Sequence, residues 1–265
     1  MAGSPQPPQV YFILGTPGAG RRAIIADLIE NGLGADERAL LLVAEDEASD
    51  PADARLAARP GTEVRRWRWV PPVPPADPEL PAMKLPAGPS IFFLADSRAS
   101  PIDQLEALKP WLARQGARLA RVFCVVDCRL AEQTPALRPW FEACIHFADV
   151  VFLTHRAGVA NKWLSDFLKH FKTECFPCHF LMVKSGGIPN PALYLDPVPR
   201  RVSQYFDEAE APAGVEIESD EEDEDEEAAA EFAPPPEPYF ERLRSGRRVR
   251  ELPDIRDYPP AKSVA

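Results

Sequence analysis

Three glycines and two arginines near the amino terminus are the residues of this sequence best suited to chemistry. Gly15, Gly18 and Gly20 follow a short apolar run, VYFIL, and Arg21 and Arg22 come directly after the last glycine. Glycines allow backbone turns that a Cβ would prevent, so successive N–H groups can point at one bound anion. A helix that starts there adds free N–H donors and the positive end of its dipole. The spacing therefore predicts a site for a polyphosphate.

The elements around these residues have the order that a P-loop requires. The apolar run at 10–14 predicts a β-strand, and apolar residues at helical spacing after Gly20 predict a helix. The residues expected to contact a nucleotide are Gly15, Thr16, Pro17, Gly18, Ala19, Gly20, Arg21 and Arg22. A loop of this shape that only joins a strand to a helix is the alternative interpretation.

Two side chains differ from the P-loop pattern, G-x-x-x-x-G-K-S/T. Arg21 stands where a lysine reaches the β- and γ-phosphates, and Arg22 stands where a hydroxyl holds Mg²⁺. Arg21 could still pair with phosphate, but the guanidinium of Arg22 cannot ligate a cation. The sequence therefore predicts nucleotide binding with weak or absent hydrolysis. A loop filled by its own arginine side chains would exclude a diphosphate.

Composition and charge exclude some classes of protein. The chain has 265 residues, 45% of them apolar, and a net charge of −11. Residues 207–231 contain 14 acids and no lysine or arginine, and the rest of the chain has 27 acids against 30 bases. No apolar run approaches the roughly 18–20 residues of a membrane span, and the amino terminus lacks a secretory pattern. We therefore expect a cytoplasmic protein with reduced cysteines and no membrane partner.

Apolar segments alternate with helical segments between residues 9 and 200. Strands are expected at 10–14, 38–44, 63–70, 90–95, 120–126, 148–153 and 178–183, and helices after the glycine loop, within 45–60, and at 100–115, 135–147 and 159–172. Strands that are apolar throughout indicate a mostly parallel sheet with helices on both faces, a three-layer α/β fold of P-loop NTPase type. The strand at 63–70 should be an exposed edge, the proline-rich segment 71–89 should be irregular, and Pro139 should perturb its helix.

Several polar residues fall at the predicted carboxyl ends of strands, where ligands bind in such sheets. They are Gly15, Asp96, Asp127 and Thr154. We expect one site to collect them, with Asp96 and Asp127 as the carboxylates that approach a metal ion.

A cysteine pair precedes the last predicted strand. Cys175 and Cys178 form a C-x-x-C-H motif with His179, and C-x-x-C can bind zinc or act in redox chemistry. Haem attachment would require export, for which no signal is present. Zinc would need two further ligands, for which Cys124 and Cys128 are the candidates. A chance occurrence before the strand is the simpler interpretation.

Both ends of the chain are expected to lack a packed core. We predict a flexible amino terminus at 1–8 and a mostly disordered tail at 201–265, which is first acidic, then proline-rich, then basic at 242–250. The acidic part cannot bury enough apolar surface to order itself. The two charge runs could attract each other, dock a protein partner or keep the chain soluble. The scattered arginines give no further indication of nucleic-acid binding.

With these segments in order, residues from about 9 to 197 resemble the GTPase domain of the CobW family, P-loop proteins of metallochaperone type related to HypB and UreG. GTPGAGRR is similar to the family's GxxGxGKT loop, VFCVVDC to its strand ending V-V-D-A, and HFADVVFLTHRA to F-A-D-x-I-x-L-N-K-x-D. ADSRASP resembles the E-S/T-S/T-G-L-A-D-P segment, and KTECFPCHFLMVKSGGIPNPALYLDP resembles the closing strand and the turn into the last helix. The resemblance implies GTP or another nucleotide as ligand, with Mg²⁺ or Zn²⁺ as metal.

The positions that carry the family's chemistry are changed. The residues Thr154, His155, Arg156 and Ala157 stand where N-K-x-D selects guanine, without its carboxylate. Losing that partner removes about 1.5–3 kcal/mol, and guanine preference with it. The family's C-x-C-C metal motif is missing, and the acidic tail replaces its C-terminal domain. The sequence therefore predicts a degenerate member. The alternatives are a non-catalytic scaffold that docks partners through its tail, and a metal carrier that uses Cys175 and Cys178.

Overall fold

Seven strands form one parallel sheet in the part of the chain that the computed structural model describes, residues 7–73, 76–86, 88–184, 187–207 and 236–258. The strands are β1 (Gln9–Gly15), β2 (Ala39–Ala44), β3 (Thr62–Trp67), β4 (Ser90–Leu94), β5 (Arg118–Asp127), β6 (Val150–Thr154) and β7 (His179–Met182). Their order across the sheet is β3-β2-β4-β1-β5-β6-β7, and every neighbouring pair is parallel. The predicted parallel sheet is confirmed, with β1 at its centre and β3 at an edge.

Helices cover both faces of this sheet. The helices are α1 (Arg21–Gly32), α2 (Pro51–Ala58), α3 (Pro101–Gln115), α4 (Cys128–Gln133), α5 (Arg138–His146), α6 (Asn161–Thr173) and α7 (Ala192–Leu195). Along β1, Phe12 and Leu14 pack in the layer of α3 and α5, whereas Tyr11 and Ile13 pack in the layer of α1 and α2. Successive side chains of a strand point to opposite faces, so an entirely apolar strand must be covered twice. The three-layer α/β fold is therefore confirmed.

Local signals in the sequence set the ends of α3. Pro101 occupies the first helical position, and the hydroxyl of Ser100 accepts a hydrogen bond from the Asp103 amide at 3.2 Å. After the helix, Gly116 has a φ of 59°, a left-handed conformation that commonly ends helices. These features place the start of α3 next to the carboxyl end of β4, as the sequence predicted.

The helical region after β5 differs from the prediction. Instead of one helix over 135–147, the structure has a 3₁₀ turn at Pro135–Leu137 followed by α5. Pro139 lies in the first turn of α5, where a missing N–H breaks no helical hydrogen bond, so it does not perturb the helix. Helix α4 was not predicted, and it begins directly after Asp127, whose side chain caps it.

Part of the predicted tail packs against the layer of α3 and α5. Residues 201–207 and 236–258 run along this layer. The ring centroids of Tyr239 and Phe240 lie 6.0 Å and 5.5 Å from that of Phe147, a residue at the end of α5. This packing differs from the predicted disorder. It arises because the tail's few aromatic side chains supply the apolar surface that its charged runs lack.

The basic run at 242–250 contributes ion pairs to this docking. Arg248 pairs with Asp103 at 2.6 Å and also with Glu106, and Arg242 pairs with Glu106 at 2.6 Å. Both acids belong to α3. The basic run therefore pairs with acidic side chains of the folded domain. The charge pattern of the sequence did not predict these pairs.

The remaining predictions for the chain ends lie outside the described residues. They concern residues 1–6, 208–235, which include most of the acidic run, and 259–265. Among the described helices, none has both the length and the apolar character needed to cross a membrane.

Candidate phosphate-binding site

The segment between β1 and α1 has the backbone shape that the glycine spacing predicted. Gly15, Gly18 and Gly20 have φ values of 147°, 75° and 82°, which favour glycine. A Cβ on Gly15 would lie only 2.7 Å from the carbonyl oxygen of Val125. Strand β5 therefore leaves no room for a side chain where the loop begins.

Several amide groups of this loop are free to bind an anion. The Ala19 amide donates to the carbonyl oxygen of Thr16 at 3.2 Å, whereas the amides of Gly18, Gly20 and Arg21 have no acceptor among the described residues. The amides of a helix's first turn are free in general. Gly18 is exposed and Gly20 is half-buried, so solvent reaches this part of the loop.

Thr154, at the carboxyl end of β6, fixes the position of the loop. Its hydroxyl lies 2.8 Å from the carbonyl oxygen of Ala19 and 3.0 Å from that of Val126, and it donates its single proton to one of them. The hydroxyl of Thr16 is also buried, but it has no hydrogen-bond partner among the described residues. The ends of β1, β5 and β6 therefore meet in one site, as their order predicted.

The guanidinium of Arg21 is bound outside the loop. Its aliphatic part passes Gly15, with Cδ 2.9 Å from the position that a Cβ on Gly15 would take. Its Nη1 donates to the carbonyl oxygen of Ala95 at 2.7 Å, and its Nη2 pairs with Glu47. Burial lowers the pKa of Arg21, although the guanidinium stays charged at neutral pH. The charge expected to contact phosphate is therefore neutralised inside the protein.

Arg22 is likewise paired inside the protein. Its Nη1 lies 2.8 Å from Asp53, and its Nη2 lies 3.9 Å from Glu47. The Nε and Nη2 atoms are buried and have no hydrogen-bond partner among the described residues. A fixed positive charge at this position repels a cation, whereas a P-loop needs a hydroxyl oxygen there to hold Mg²⁺. The residues present do not fit the Mg²⁺ ion of a P-loop.

Glu47 connects both arginines to the end of β4. Its side chain is 15% exposed and accepts a hydrogen bond from the Ser97 hydroxyl at 2.6 Å. Burial alone would raise the pKa of Glu47, but the charge of Arg21 and the hydrogen bonds outweigh burial and lower the pKa. Glu47 and Asp53 match no motif in the sequence. Their signal was the acidic run at 45–53, which follows β2 at the edge of the sheet where the two arginines lie.

Asp96 lies at the end of β4, as predicted, but its hydrogen bonds are made to residues close to it in the sequence. Its Oδ1 accepts a hydrogen bond from the Arg98 amide at 2.9 Å. Its own amide and carbonyl groups bond to the side chain of Gln104 at 2.8 Å and 3.0 Å. Burial raises the pKa of Asp96, against the opposing effect of the Arg98 amide. These contacts make Asp96 part of the turn into α3.

Asp127 and His155 form a carboxylate–imidazole pair beside the loop. The Nδ1 atom of His155 lies 2.7 Å from Oδ2 of Asp127. Its Nε2 lies 3.8 Å from the position that a Cβ on Gly20 would take. The hydrogen bond to Asp127 raises the pKa of His155. An imidazole that takes up a proton readily therefore lies at the edge of the glycine loop.

The other oxygen of Asp127 is occupied too. Its Oδ1 accepts hydrogen bonds from the amides of Arg129 and Leu130, both at 3.0 Å. Burial alone would raise the pKa of Asp127, but these bonds and His155 outweigh burial and lower the pKa. In the sequence, His155 was visible only as a residue that replaces part of the guanine motif. Its pairing with Asp127 could be found only in the structure.

The residues predicted to bind a metal ion do not form one cluster in the structure. Within the described ranges, no group of three or more His, Cys, Asp or Glu side chains is arranged to hold a metal ion. Cys175 is exposed, whereas Cys178 is buried, and burial raises the pKa of Cys178 to about 12. Asp127 uses both carboxylate oxygens in the contacts described above, and Asp96 uses its Oδ1.

A cavity of about 720 Å³ lies beside the loop rather than at it. Its walls come from 68–72, the start of α3 and 247–256 of the docked tail. Asp96 lines it, but none of residues 15–22 does. The loop is therefore separate from this cavity.

Among known proteins, only solved structures are similar to this chain. No protein-family profile matches the chain, and no curated protein sequence matches it. One similar structure is the Zn(II)-bound YjiA GTPase from E. coli, with a TM-score of 0.45, and another is a Zn(II)-bound triple mutant of YjiA GTPase, with a TM-score of 0.43. In both cases the sequence identity is 13%, and the match covers 72% of this chain and 62% of the other. The chain thus matches less than two thirds of the length of these GTPase structures.

Proposed function

We propose that the chain binds the phosphates of a nucleotide at residues 15–20 and does not hydrolyse them by a Mg²⁺-dependent route. The observation that carries this proposal is the group of free amides at the start of α1, in a loop whose glycines have left-handed φ values. Successive amides of this kind bind phosphate without help from a side chain. Helix α1 has 12 residues, so its dipole adds a positive end to the same point.

The internal ion pairs support the loss of hydrolysis. Phosphoryl transfer in P-loop proteins depends on positioning and on neutralising charge with a lysine and Mg²⁺. Here Arg21 is held by Ala95 and Glu47, and Arg22 is held by Asp53. The finer proposal is a CobW-type nucleotide-binding protein that has lost GTP hydrolysis. Since Ala157 replaces the guanine-selecting carboxylate, GTP and ATP should bind similarly.

Thermal unfolding of the full chain with GTP or ATP, each with Mg²⁺ or with EDTA, tests the proposal. We expect a saturable rise in Tm with either nucleotide, and the same rise with and without Mg²⁺, because only backbone amides hold the phosphates. Release of inorganic phosphate from GTP should stay at the background rate. The absence of a saturable shift with both nucleotides would contradict nucleotide binding.

Two matched substitutions separate binding at the loop from a general effect on stability. Gly18→Glu places a carboxylate on the exposed part of the loop and should abolish the ligand-induced rise in Tm. Gly116→Glu is the control, since Gly116 also has a positive φ and open space around it but lies at the far end of α3. It should keep the full rise. Equal responses of the two variants would place the ligand elsewhere.

His155 should make this binding depend on pH. Protonated His155 places a positive charge near Gly20, so we expect the affinity for nucleotide to fall as the pH rises through the raised pKa of His155. The pair of protonated His155 and Asp127 should also stabilise the fold more at low pH. This contribution to stability is complete below about pH 6.5 and is lost as the pH rises through the folded-state pKa of His155. Asp127 behaves in the opposite way, because its pKa is lowered. Its contribution to stability is complete above its unfolded-state pKa and is lost as the pH falls through the lowered pKa.

The variant His155→Gln tests this expectation, because glutamine can still donate to Asp127 but carries no charge. Since His155 is partly exposed, we expect affinity at pH 6 to fall by about fivefold or less and its pH dependence to flatten. Nucleotide titrations at several pH values measure both effects, and NMR titration of the imidazole gives the pKa. An unchanged pH profile in the variant would exclude His155 from the site.

A second candidate function is a non-catalytic interaction protein, which the internal pairing of Arg21 and Arg22 also favours. With both charges neutralised by Glu47 and Asp53, the strand–loop–helix unit is stable without a ligand. Under this alternative, neither nucleotide should raise the Tm of the original chain, and Gly18→Glu should change stability only through backbone strain, as Gly116→Glu does. The nucleotide titrations above therefore distinguish the two functions.

A further inference from the structure

A second cavity lies near the amino end of β7, on the face of the sheet that carries α7. Its volume is about 330 Å³, within the range of small-molecule sites. Its lining includes Arg121 of β5, His179 of β7 and Arg200 after α7. None of its lining residues belongs to the phosphate loop or to the cavity beside it.

Arg121 gives this cavity a buried charge with unused donor capacity. The residue is 3% exposed, and its Nε donates to the carbonyl oxygen of Asp196. Its Nη1 is buried and has no hydrogen-bond partner among the described residues. Such a donor is costly to leave unpaired, so it indicates a missing acceptor.

Two further basic groups face the same space. Arg200 is exposed, and its guanidinium has no hydrogen bond or ion pair among the described residues. Burial lowers the pKa of His179, and the charges of Arg200 and Arg121 lower it further. The acids that act on Arg121 are Asp196, in the lining, and Asp149, which is already paired with Arg201 at 3.3 Å.

The remaining walls are apolar and partly open. Leu193 and Val198 are 65% and 43% exposed. Tyr194, Phe180 and Leu181 are half-buried beside them. A ligand held by the basic groups would therefore lay an apolar part against these side chains.

We propose that this cavity binds a small organic anion, a carboxylate or phosphate group on an apolar body. The anionic group would accept a hydrogen bond from the guanidinium of Arg121 and pair with Arg200, and the apolar body would cover Leu193 and Val198. His179 would become easier to protonate on binding, because the anion offsets the two arginine charges. The proposal is independent of nucleotide binding at residues 15–20, since the two sites share no residue.

Calorimetric titration of the full chain with hexanoate, hexyl phosphate, hexanol and inorganic phosphate tests this site. We expect saturable binding of hexanoate and hexyl phosphate, and weaker or no binding of the other two. Tighter binding of hexanoate or of hexyl phosphate shows whether the site prefers a carboxylate or a phosphate group. Hexanol that binds as tightly as hexanoate, or inorganic phosphate that binds as tightly as hexyl phosphate, would overturn the proposal.

Variants at exposed residues keep this test independent of folding. Arg200→Gln should weaken hexanoate about fivefold. Arg244→Gln, an equal loss of charge at an exposed arginine outside this cavity, should leave binding unchanged. In NMR titrations, the pKa of His179 should rise on hexanoate binding and in Arg200→Gln. Equal binding by the two variants, or a His179 pKa that responds to neither change, would overturn the assignment.

Discussion

Replacing Glu47 by glutamine should lower the free energy of unfolding by about 3 kcal/mol, because it leaves a buried guanidinium without its charged partner. Arg21 is 4% exposed, and Glu47 is its ion-pair partner and also accepts from Ser97. Glutamine keeps the size of the side chain but not its charge. Urea denaturation followed by circular dichroism measures the loss.

The exposed pair of Glu63 and Arg65 supplies the control. The Glu63 side chain is 53% exposed, so Glu63→Gln should cost less than about 1 kcal/mol. Combining Glu47→Gln with Arg21→Gln should recover part of the loss, since no unpaired charge remains. Equal costs for the two single variants would mean that the arginines of the loop are not stabilised by internal pairing.

Replacing Gly15 by alanine should also cost about 3 kcal/mol, through a clash together with backbone strain. The new Cβ would lie 2.7 Å from the carbonyl oxygen of Val125 and 2.9 Å from Cδ of Arg21. The arginine side chain can move, but the carbonyl group belongs to the centre of the sheet and cannot. The midpoint and slope of urea unfolding give the change in stability.

Gly116→Ala separates the two causes of that loss. Gly116 has a φ of 59° and nothing within 4 Å of the position of its Cβ, so alanine adds only backbone strain, about 1–2 kcal/mol. A larger cost at Gly15 therefore measures the contact with β5. If both substitutions cost the same, the close approach of the loop to β5 is not a constraint.

The sequence was sufficient for the architecture because its signals are local. An apolar run, glycines at fixed spacing and a helical repeat predicted β1, the loop and α1, each within a few residues of its observed bounds. Alternation of apolar strands with helices predicted parallel pairing and hence a site at the strand ends. The same local signals failed near Pro139, where a proline pattern fits a helix start as well as an interruption.

The partners of the candidate site could not be predicted, because they are brought together only by the sheet. Arg21 contacts Ala95, which is 74 positions away in the sequence, and Glu47, which is 26 positions away. No period or spacing relates such residues, and any acid of the run at 45–53 would have fitted the pattern equally well. The pair of His155 and Asp127 depends in the same way on β5 and β6 lying side by side.

By itself, then, the sequence determined a parallel sheet, a glycine-rich turn between strand and helix, and the absence of the lysine and hydroxyl of a P-loop. Backbone preference and residue identity are properties of short segments. Only the tertiary structure decided that the replacing arginines are neutralised by Glu47 and Asp53, that a histidine lies beside the loop, and that residues 236–258 pack on the domain. These outcomes depend on burial and on distances between remote residues. Such distances exist only once the strands are in order.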